Sequence, residues 1–151
     1  MAVFLYNGEK EYSYEMLVES INQHREYYPL FKSHDIFAYF ENLIKAITTN
    51  SPLVLLDSDL NPSEVAGVDE SQVNVAVQLP EYHFEDMAAV VSALQQSTSE
   101  ITIFTSGTTG QPKKVVHSID TLTRSVRLGD KYKGQVWAYA YNPTHMAGLQ
   151  V

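Results

Sequence analysis

A short apolar run, Ile101–Phe104, leads directly into ten residues rich in glycine, hydroxyl and lysine side chains. The apolar run predicts a β-strand, and residues 105–114 predict a loop that wraps an anion. Gly107 and Gly110 allow backbone N–H groups to approach an anion closely, because no Cβ stands in the way. A chain with this pattern is expected to contain a strand that ends at a phosphate-binding loop.

The side chains of this loop add hydrogen-bond donors and charge. Hydroxyl groups come from three threonines and one serine. Lys113 supplies a point charge that can reach a phosphate oxygen. The predicted phosphate-binding residues are Thr105, Ser106, Gly107, Thr108, Thr109, Gly110 and Lys113.

Three other interpretations of the loop are weaker. A Walker loop needs Gly-Lys followed by Ser or Thr, whereas Pro112 precedes Lys113 here and Lys114 follows it. A nucleophile elbow needs glycine two positions before its serine, and Phe104 stands there, so Ser106 is not predicted to be a covalent nucleophile. A polar surface turn after a strand is the alternative that the pattern leaves open.

The uninterrupted run Thr-Ser-Gly-Thr-Thr-Gly-x-Pro-Lys, residues 105–113, resembles the signature phosphate loop of the AMP-forming adenylating enzymes. These include acyl- and aryl-CoA synthetases, luciferases and peptide-synthetase adenylation domains. Lys114 departs from the pattern, since the family usually has glycine there. The resemblance implies that ATP and Mg²⁺ activate a carboxylic acid as an acyl-adenylate, which most members transfer to CoA or a carrier protein. The early position of the loop is similar to that in the shorter relatives, o-succinylbenzoate–CoA ligase among them.

A second informative stretch, residues 136–149, predicts a strand over Val136–Tyr141, a proline turn and a helix that begins at His145. Its Pro-x-His-x-x-Gly-Leu element resembles the family segment that borders the pocket for the carboxylic acid. The resemblance implies that His145, Met146 and Gly148 lie in the acid-substrate pocket. His145 would donate a hydrogen bond to the acid or shield the acyl-adenylate from water; a helix-capping or core histidine is the alternative. The aromatic residues predicted to pack on the sheet are Trp137, Tyr139 and Tyr141.

Alternation of helical and short apolar segments elsewhere predicts an α/β fold, with a layered β-sheet and flanking helices. The first third is expected to be largely helical, starting with a helix that Ser13 caps and that runs to about Tyr28. Leu53–Leu56 predicts a buried strand. The remaining predicted elements are a helix over 36–47, a short helix from Asn61-Pro62, a helix from about Glu85 through Leu94, a strand at Val115-Val116 and a helix over 118–128.

Composition excludes several classes of site. No cysteine occurs among the 151 residues, so disulfides, thiolate metal sites and cysteine catalysis are excluded. The five histidines lack metal-ligand spacing, and Pro62 stands where a calcium loop after Asp57 would need glycine, so no protein metal site is predicted. No run approaches the ~18 apolar residues of a membrane span, and no basic leader precedes the short apolar amino terminus. The chain is expected to be soluble and cytoplasmic.

The charge distribution suits a polyanionic small molecule better than nucleic acid. The net charge of −8 argues against nucleic-acid binding by the surface as a whole. From Lys113 onward the chain has six basic and two acidic residues, which gives a net charge of +4. The preceding part has a net charge of −12. A positive segment after a phosphate loop suits ATP. A solvated basic helix face is the alternative for residues 124–133.

The position of Val151, a few residues after His145, sets a further expectation. The family's later elements do not occur in these residues: the Tyr-Gly-x-Thr-Glu segment, the ribose-binding aspartate, the hinge, and the mobile domain with its catalytic lysine. Residues 1–151 are therefore expected to be an incomplete, amino-terminal part of the large AMP-binding domain, inactive by itself. The alternative is a non-catalytic module that binds nucleotide or forms homo-oligomers through exposed core surface.

Overall fold

The computed structural model describes residues 2–106, 110–127 and 129–150, apart from the side chain of Ser106. Over these residues the chain is a mixed α/β fold in which helices pack against small sheets. The strands are β1 (Val3–Asn7), β2 (Lys10–Ser13), β3 (Glu26–Tyr27), β4 (Leu30–Phe31), β5 (Leu53–Leu55), β6 (Val77–Gln78), β7 (Glu100–Ser106) and β8 (Pro112–Ser118). The α-helices are α1 (Tyr14–Gln23), α2 (Ile36–Thr48), α3 (Met87–Gln95), α4 (Ile119–Thr123) and α5 (Met146–Leu149). Short 3₁₀ turns cover Pro62–Glu64, Glu70–Gln72 and Asp130–Tyr132.

The largest sheet has the strand order β4-β5-β7-β8 and positions the candidate site. Strands β4, β5 and β7 are parallel, and β8 returns antiparallel to β7. Alternate residues of a strand face the same side of a sheet. One face therefore carries the buried side chains of Leu53, Leu55, Ile101 and Ile103, which join a core cluster with residues of α2, α4 and α5. We call this side the core face.

Several elements follow the sequence prediction because their signals are local. Helix α2 matches the predicted span, and the Asp35 carboxylate caps it by accepting hydrogen bonds from the backbone N–H groups of Phe37 and Ala38. Strands β5, β7 and β8 are confirmed, as is the helical turn after Asn61. Helix α3 begins two residues later than predicted, since Asp86 is its extended capping residue. In the described ranges, no helix combines the length and apolar character needed to cross a membrane.

In the first third, the two predicted helices are confirmed, including the Ser13 cap of α1, but the residues before and between them are extended and not helical. Residues 3–13 form the β1–β2 hairpin, whose turn contains Asn7-Gly8 with Gly8 in the left-handed region at φ +63°. Asn7 pairs with Lys10, so Gly8 is the first of the two central turn residues, a position where hairpin turns with positive φ favour glycine. Helix α1 also ends at Gln23 rather than Tyr28, since the chain from Glu26 is extended and pairs with β6.

The predicted strand over Val136–Tyr141 is not formed. A strand needs a neighbour for its backbone N–H and C=O groups, and no strand in the described part of the chain pairs with this segment. Val136 and Trp137 are 78% and 63% exposed, so Trp137 does not pack on a sheet, and neither does the exposed Tyr141. The helix predicted over 118–128 is also shorter than expected: α4 covers only Ile119–Thr123.

Candidate functional site

The predicted phosphate loop over 105–114 is in part regular hairpin: Thr105 and Ser106 belong to β7, and Pro112, Lys113 and Lys114 belong to β8. Strands β7 and β8 pair from Glu100↔Ser118 to Ser106↔Pro112, which sets Thr105 opposite Lys113. Gly110 lies between the two strands in the left-handed region, at φ +79°, where glycine is favoured. Three of the predicted phosphate-binding residues lie outside the described residues: Gly107, Thr108 and Thr109. The residues on either side of them are described, and two of these, Thr105 and Lys113, are paired and carry a hydroxyl and an ammonium group.

Strand alternation separates the two lysines of the hairpin. Ile101 and Ile103 are fully buried in the core, so Thr105 projects from the same face, just beyond the core. On β8, Val115 packs against that core, which places Lys113 on the core face as well. Lys114 pairs with Phe104 and lines a pocket of about 350 Å³ on the opposite face. Lys113 is therefore the lysine that shares a face with Thr105.

The hairpin connection lies at the carboxyl edge of the parallel strands. Strand β7 ends there at Ser106, and its parallel neighbour β5 ends there at Leu55, followed by Leu56 and Asp57. In open α/β sheets, ligands bind in the crevice outside the carboxyl ends of the strands. The edge that carries Thr105 and Lys113 is therefore the edge at which such a sheet accommodates a ligand.

A turn over residues 142–145 brings His145 to this same edge. Asn142 and Pro143 occupy the first two positions of the turn, which the His145 N–H closes onto the Asn142 carbonyl at 3.1 Å. The Nε2 atom of His145 lies 3.2 Å from the Oδ2 atom of Asp57, just after β5. The His145 side chain is 57% exposed, so it borders solvent. Within the described residues, no hydrogen bond joins this turn to the phosphate hairpin.

The other two predicted acid-pocket residues belong to helix α5, which His145 precedes as the residue before its first turn. Met146 is half-buried and packs against the core cluster. Gly148 is buried, and a Cβ atom placed on it would lie 2.1 Å from the Asn142 carbonyl oxygen. Gly148 therefore serves close backbone packing between α5 and the turn. An apolar groove of about 430 Å³ opens beside α5, where Leu149 lines it together with residues of α2, α3 and α4.

Two tyrosines hold the turn and α5 against helix α2. The buried Tyr39 hydroxyl donates a hydrogen bond to the Pro143 carbonyl, and the Tyr139 hydroxyl donates to the Gly148 carbonyl at 2.7 Å. The Tyr139 ring also packs edge-on against Phe40. Burial raises the pKa of Tyr139 to about 12, and burial with a smaller contribution from Tyr139 raises the pKa of Tyr39 well above its ordinary value.

Tyr139 is expected to make the stability of the chain pH-dependent in the alkaline range. Its hydroxyl ionises near pH 10.0 in the unfolded chain but near 12 in the folded one. The unfolded state therefore loses its proton first, and the free energy of unfolding falls as the pH rises through this window. Urea unfolding across this pH range should show a shallower decline for Tyr139→Phe than for the parent chain. The exposed Tyr141→Phe serves as control, and an unchanged slope for Tyr139→Phe would contradict the assignment.

Sequence reasoning missed Asp57, Asn142 and Tyr39, which fix the position of His145. Asp57 carried a usable signal, because a carboxylate directly after a buried strand often stands at the carboxyl edge of a sheet. Asn142 before Pro143 is typical of a turn. Tyr39 gave no signal beyond its place on the apolar side of α2.

The described residues at this edge include the Thr105 hydroxyl, the Lys113 ammonium group and Gly110 in the left-handed region. Among the described residues, no group of three His, Asp or Glu side chains is arranged to hold a metal ion. No family model, curated protein or solved structure matches this chain.

Proposed function

We propose that this chain carries the ATP phosphate-binding element and part of the acid pocket of an AMP-forming acid–thiol ligase, an acyl- or aryl-CoA ligase. The observation that carries the proposal is the pairing of Thr105 with Lys113 on the core face, at the carboxyl edge of the parallel strands β5 and β7. Those two residues are the first and the last of the run 105–113 that resembles the adenylating family's phosphate loop.

The proposed reaction has two steps. A carboxylate oxygen attacks the α-phosphorus of ATP, the bond to the bridging oxygen breaks, and pyrophosphate leaves as the acyl-adenylate forms. The thiol of CoA then attacks the acyl carbon, and AMP leaves as the thioester forms. Both partners of the first step are anions, so charge compensation and positioning dominate its catalysis.

The role proposed for the hairpin is to hold the β- and γ-phosphates. Backbone N–H groups of the loop and the hydroxyls of Thr105 and Ser106 donate hydrogen bonds to phosphate oxygens, and the Lys113 ammonium neutralises charge that develops on the departing pyrophosphate. Gly107, Thr108, Thr109 and Gly110 keep their proposed roles in this cradle. Mg²⁺ bound to the triphosphate supplies further neutralisation of charge.

The acid is proposed to lie beside helix α5. The apolar groove of about 430 Å³, which includes Leu149, is of the size and character that receives a hydrophobic acyl or aryl group. His145 does not line this groove; its exposed imidazole lies beside Asp57, at the carboxyl edge of the sheet. Met146 and Gly148 hold helix α5 in place. Met146 packs against the core cluster, and Gly148 closely approaches the Asn142 carbonyl.

Calorimetric titration of the chain with MgATP tests this proposal. Saturable binding is expected, and inorganic pyrophosphate should compete because the contacts proposed are to phosphate groups. AMP lacks the β- and γ-phosphates and should compete much more weakly. Absence of MgATP binding by a folded chain would contradict the proposal.

Self-association is the second candidate function, and exposed apolar side chains favour it. Val136 and Trp137 are adjacent and largely exposed, and the groove beside α5 adds further apolar surface. Exposed apolar surface often marks an interaction site. Sedimentation at several protein concentrations separates the two candidates, since oligomers without MgATP affinity would favour assembly. The emission of Trp137, the single tryptophan, should shift to the blue on association.

A further inference from the structure

Asn7 and Gly8 lie at the exposed tip of the β1–β2 hairpin, where Asn7 is the last residue of β1 and pairs with Lys10. Gly8 adopts the left-handed backbone conformation at φ +63°. A Cβ atom placed on Gly8 would have no heavy atom within 4 Å, its two chain neighbours aside. The surroundings of the Gly8 backbone are therefore open, and no Cβ shields its nitrogen.

Asn7 differs from the other asparagines of the chain in its hydrogen bonds. Within the described ranges, neither the Asn7 side-chain amide nor the Gly8 N–H has a hydrogen-bond partner. The other asparagines all use the side-chain oxygen as a hydrogen-bond acceptor: Asn22, Asn42, Asn50, Asn61, Asn74 and Asn142. The side-chain carbonyl of Asn7 is therefore the one that no described group holds in place.

The residue that follows each asparagine also differs. Proline follows Asn61 and Asn142, and proline has no backbone N–H. Four more asparagines precede residues with a Cβ: Gln23, Leu43, Ser51 and Val75. Asn7 thus combines a side-chain carbonyl without a partner and a following N–H that is sterically unhindered.

We infer that Asn7-Gly8 is a site of spontaneous deamidation. The Gly8 backbone nitrogen attacks the side-chain carbonyl carbon of Asn7 and closes a five-membered succinimide ring. The bond from that carbon to the amide nitrogen breaks, and the proton of the Gly8 N–H leaves with the amide group as ammonia. Water then opens the ring. Attack of water at the side-chain carbonyl gives aspartate at position 7, and attack at the main-chain carbonyl gives isoaspartate.

The fold does little to prevent this ring closure, because the contacts of the hairpin lie away from its tip. Phe4 packs edge-on against Phe40 at 5.4 Å, and Tyr12 stacks on Phe37 at 4.2 Å between ring centroids. Strands β1 and β2 form a separate two-stranded sheet. Segments with few buried contacts open locally at a low free-energy cost, so the Asn7 backbone can rotate toward the geometry of attack.

Deamidation would change both the charge and the pairing of the tip. Each product adds one negative charge beside Glu9 and Glu11, which are already acidic. Isoaspartate also inserts one more carbon atom into the main chain at the Asn7↔Lys10 pair. Because ladder hydrogen bonds need matched spacing along both strands, the β1–β2 pairing should be lost first at this end.

Peptide mapping by mass spectrometry tests the inference after the chain is incubated in warm, mildly alkaline buffer. A sample unfolded in guanidinium chloride is incubated in parallel. Trypsin releases Asn7 in the peptide 1–10, which should convert to two products of equal mass that separate by chromatography. In the folded chain, Asn7 should convert within about tenfold of its rate in the unfolded chain, since opening of the tip costs little. The peptides that contain the other asparagines should stay intact over the same period.

Two variants separate the effect of sequence from that of the fold. Asn7→Gln should abolish the conversion of peptide 1–10, because a six-membered ring closes far more slowly. Val75→Gly places a glycine after Asn74, whose side chain binds both the N–H and the carbonyl of Lys32 at 2.9 and 2.8 Å. Asn74 should therefore stay protected in the folded Val75→Gly chain and convert once that chain is unfolded.

Two results would overturn the assignment. One is an Asn7 that stays intact in the folded parent chain while it converts in the unfolded one. The other is equal conversion of Asn7 and Asn74 in the folded Val75→Gly chain, which would show that the following glycine alone determines reactivity. Neither nucleotide nor acid is present in these samples, so the outcome is independent of MgATP binding and of the proposed function.

Discussion

MgATP is expected to bind the Lys113→Ala variant about tenfold more weakly than the parent chain, the effect of losing one hydrogen bond to a charged group. The Lys113 ammonium lies on the core face, opposite Thr105 in the hairpin. In the proposed phosphate site the Lys113 ammonium contacts the phosphates directly, so its loss removes both charge and a donor. Calorimetric titration of both proteins with MgATP measures the difference.

Lys114→Ala is the matched control for this loss. It removes the same charge from the next residue of β8, but Lys114 points to the opposite face and lines a pocket there. General electrostatic attraction to a triphosphate would weaken equally in the two variants and would decline with added salt. Equal losses of MgATP affinity for Lys113→Ala and Lys114→Ala would therefore show that the hairpin attracts the phosphates by its overall charge and does not bind them through Lys113.

The Gly148→Ala variant is expected to lose about 1–3 kcal/mol of its free energy of unfolding, the usual cost of overpacking. The new Cβ would lie 2.1 Å from the Asn142 carbonyl oxygen and 2.7 Å from its carbon, both backbone atoms that cannot rotate away. Helix propensity alone predicts the opposite sign, since alanine is favoured over glycine by about 1 kcal/mol. Urea denaturation of the variant and the parent measures the difference.

Ala147→Ser provides the comparison within the same helix. Ala147 is exposed, so an added hydroxyl meets solvent, and the change in stability should stay within about 0.5 kcal/mol. Amide spectra of Gly148→Ala should change most around Asn142 and His145, since the turn must move. A variant as stable as the parent, or more stable, would contradict the close packing of α5 on that turn.

Elements with local signals were predictable from the sequence. The apolar stripe of α2 and its Asp35 cap define that helix almost to the residue, and the run before Thr105 correctly predicts β7. The β1–β2 hairpin was also predictable, because Asn7-Gly8 is a turn signal that outweighs the helical pattern around it. The failure over Val136–Tyr141 has a different cause. Aromatic and β-branched residues favour extended backbone, but a strand also needs a partner edge.

The candidate site is less accessible to sequence reasoning because its contacts are distant in the chain. Asp57 and Asn142 are 85 residues apart, and nothing in either neighbourhood predicts that they meet. The distinction between Lys113 and Lys114 likewise depends on the register of β7 and β8, and a shift by one residue would reverse it. The loop motif itself, by contrast, was apparent from residue types alone.

Amide chemical shift mapping of the chain with MgATP tests most directly whether the β7–β8 hairpin holds a triphosphate. We predict saturable shift changes for the backbone N–H groups of residues 105–111 and Lys113, smaller changes on the opposite face, and no comparable response to AMP. Unmoved amides in this segment at saturating MgATP, or an equal response to AMP, would contradict the account.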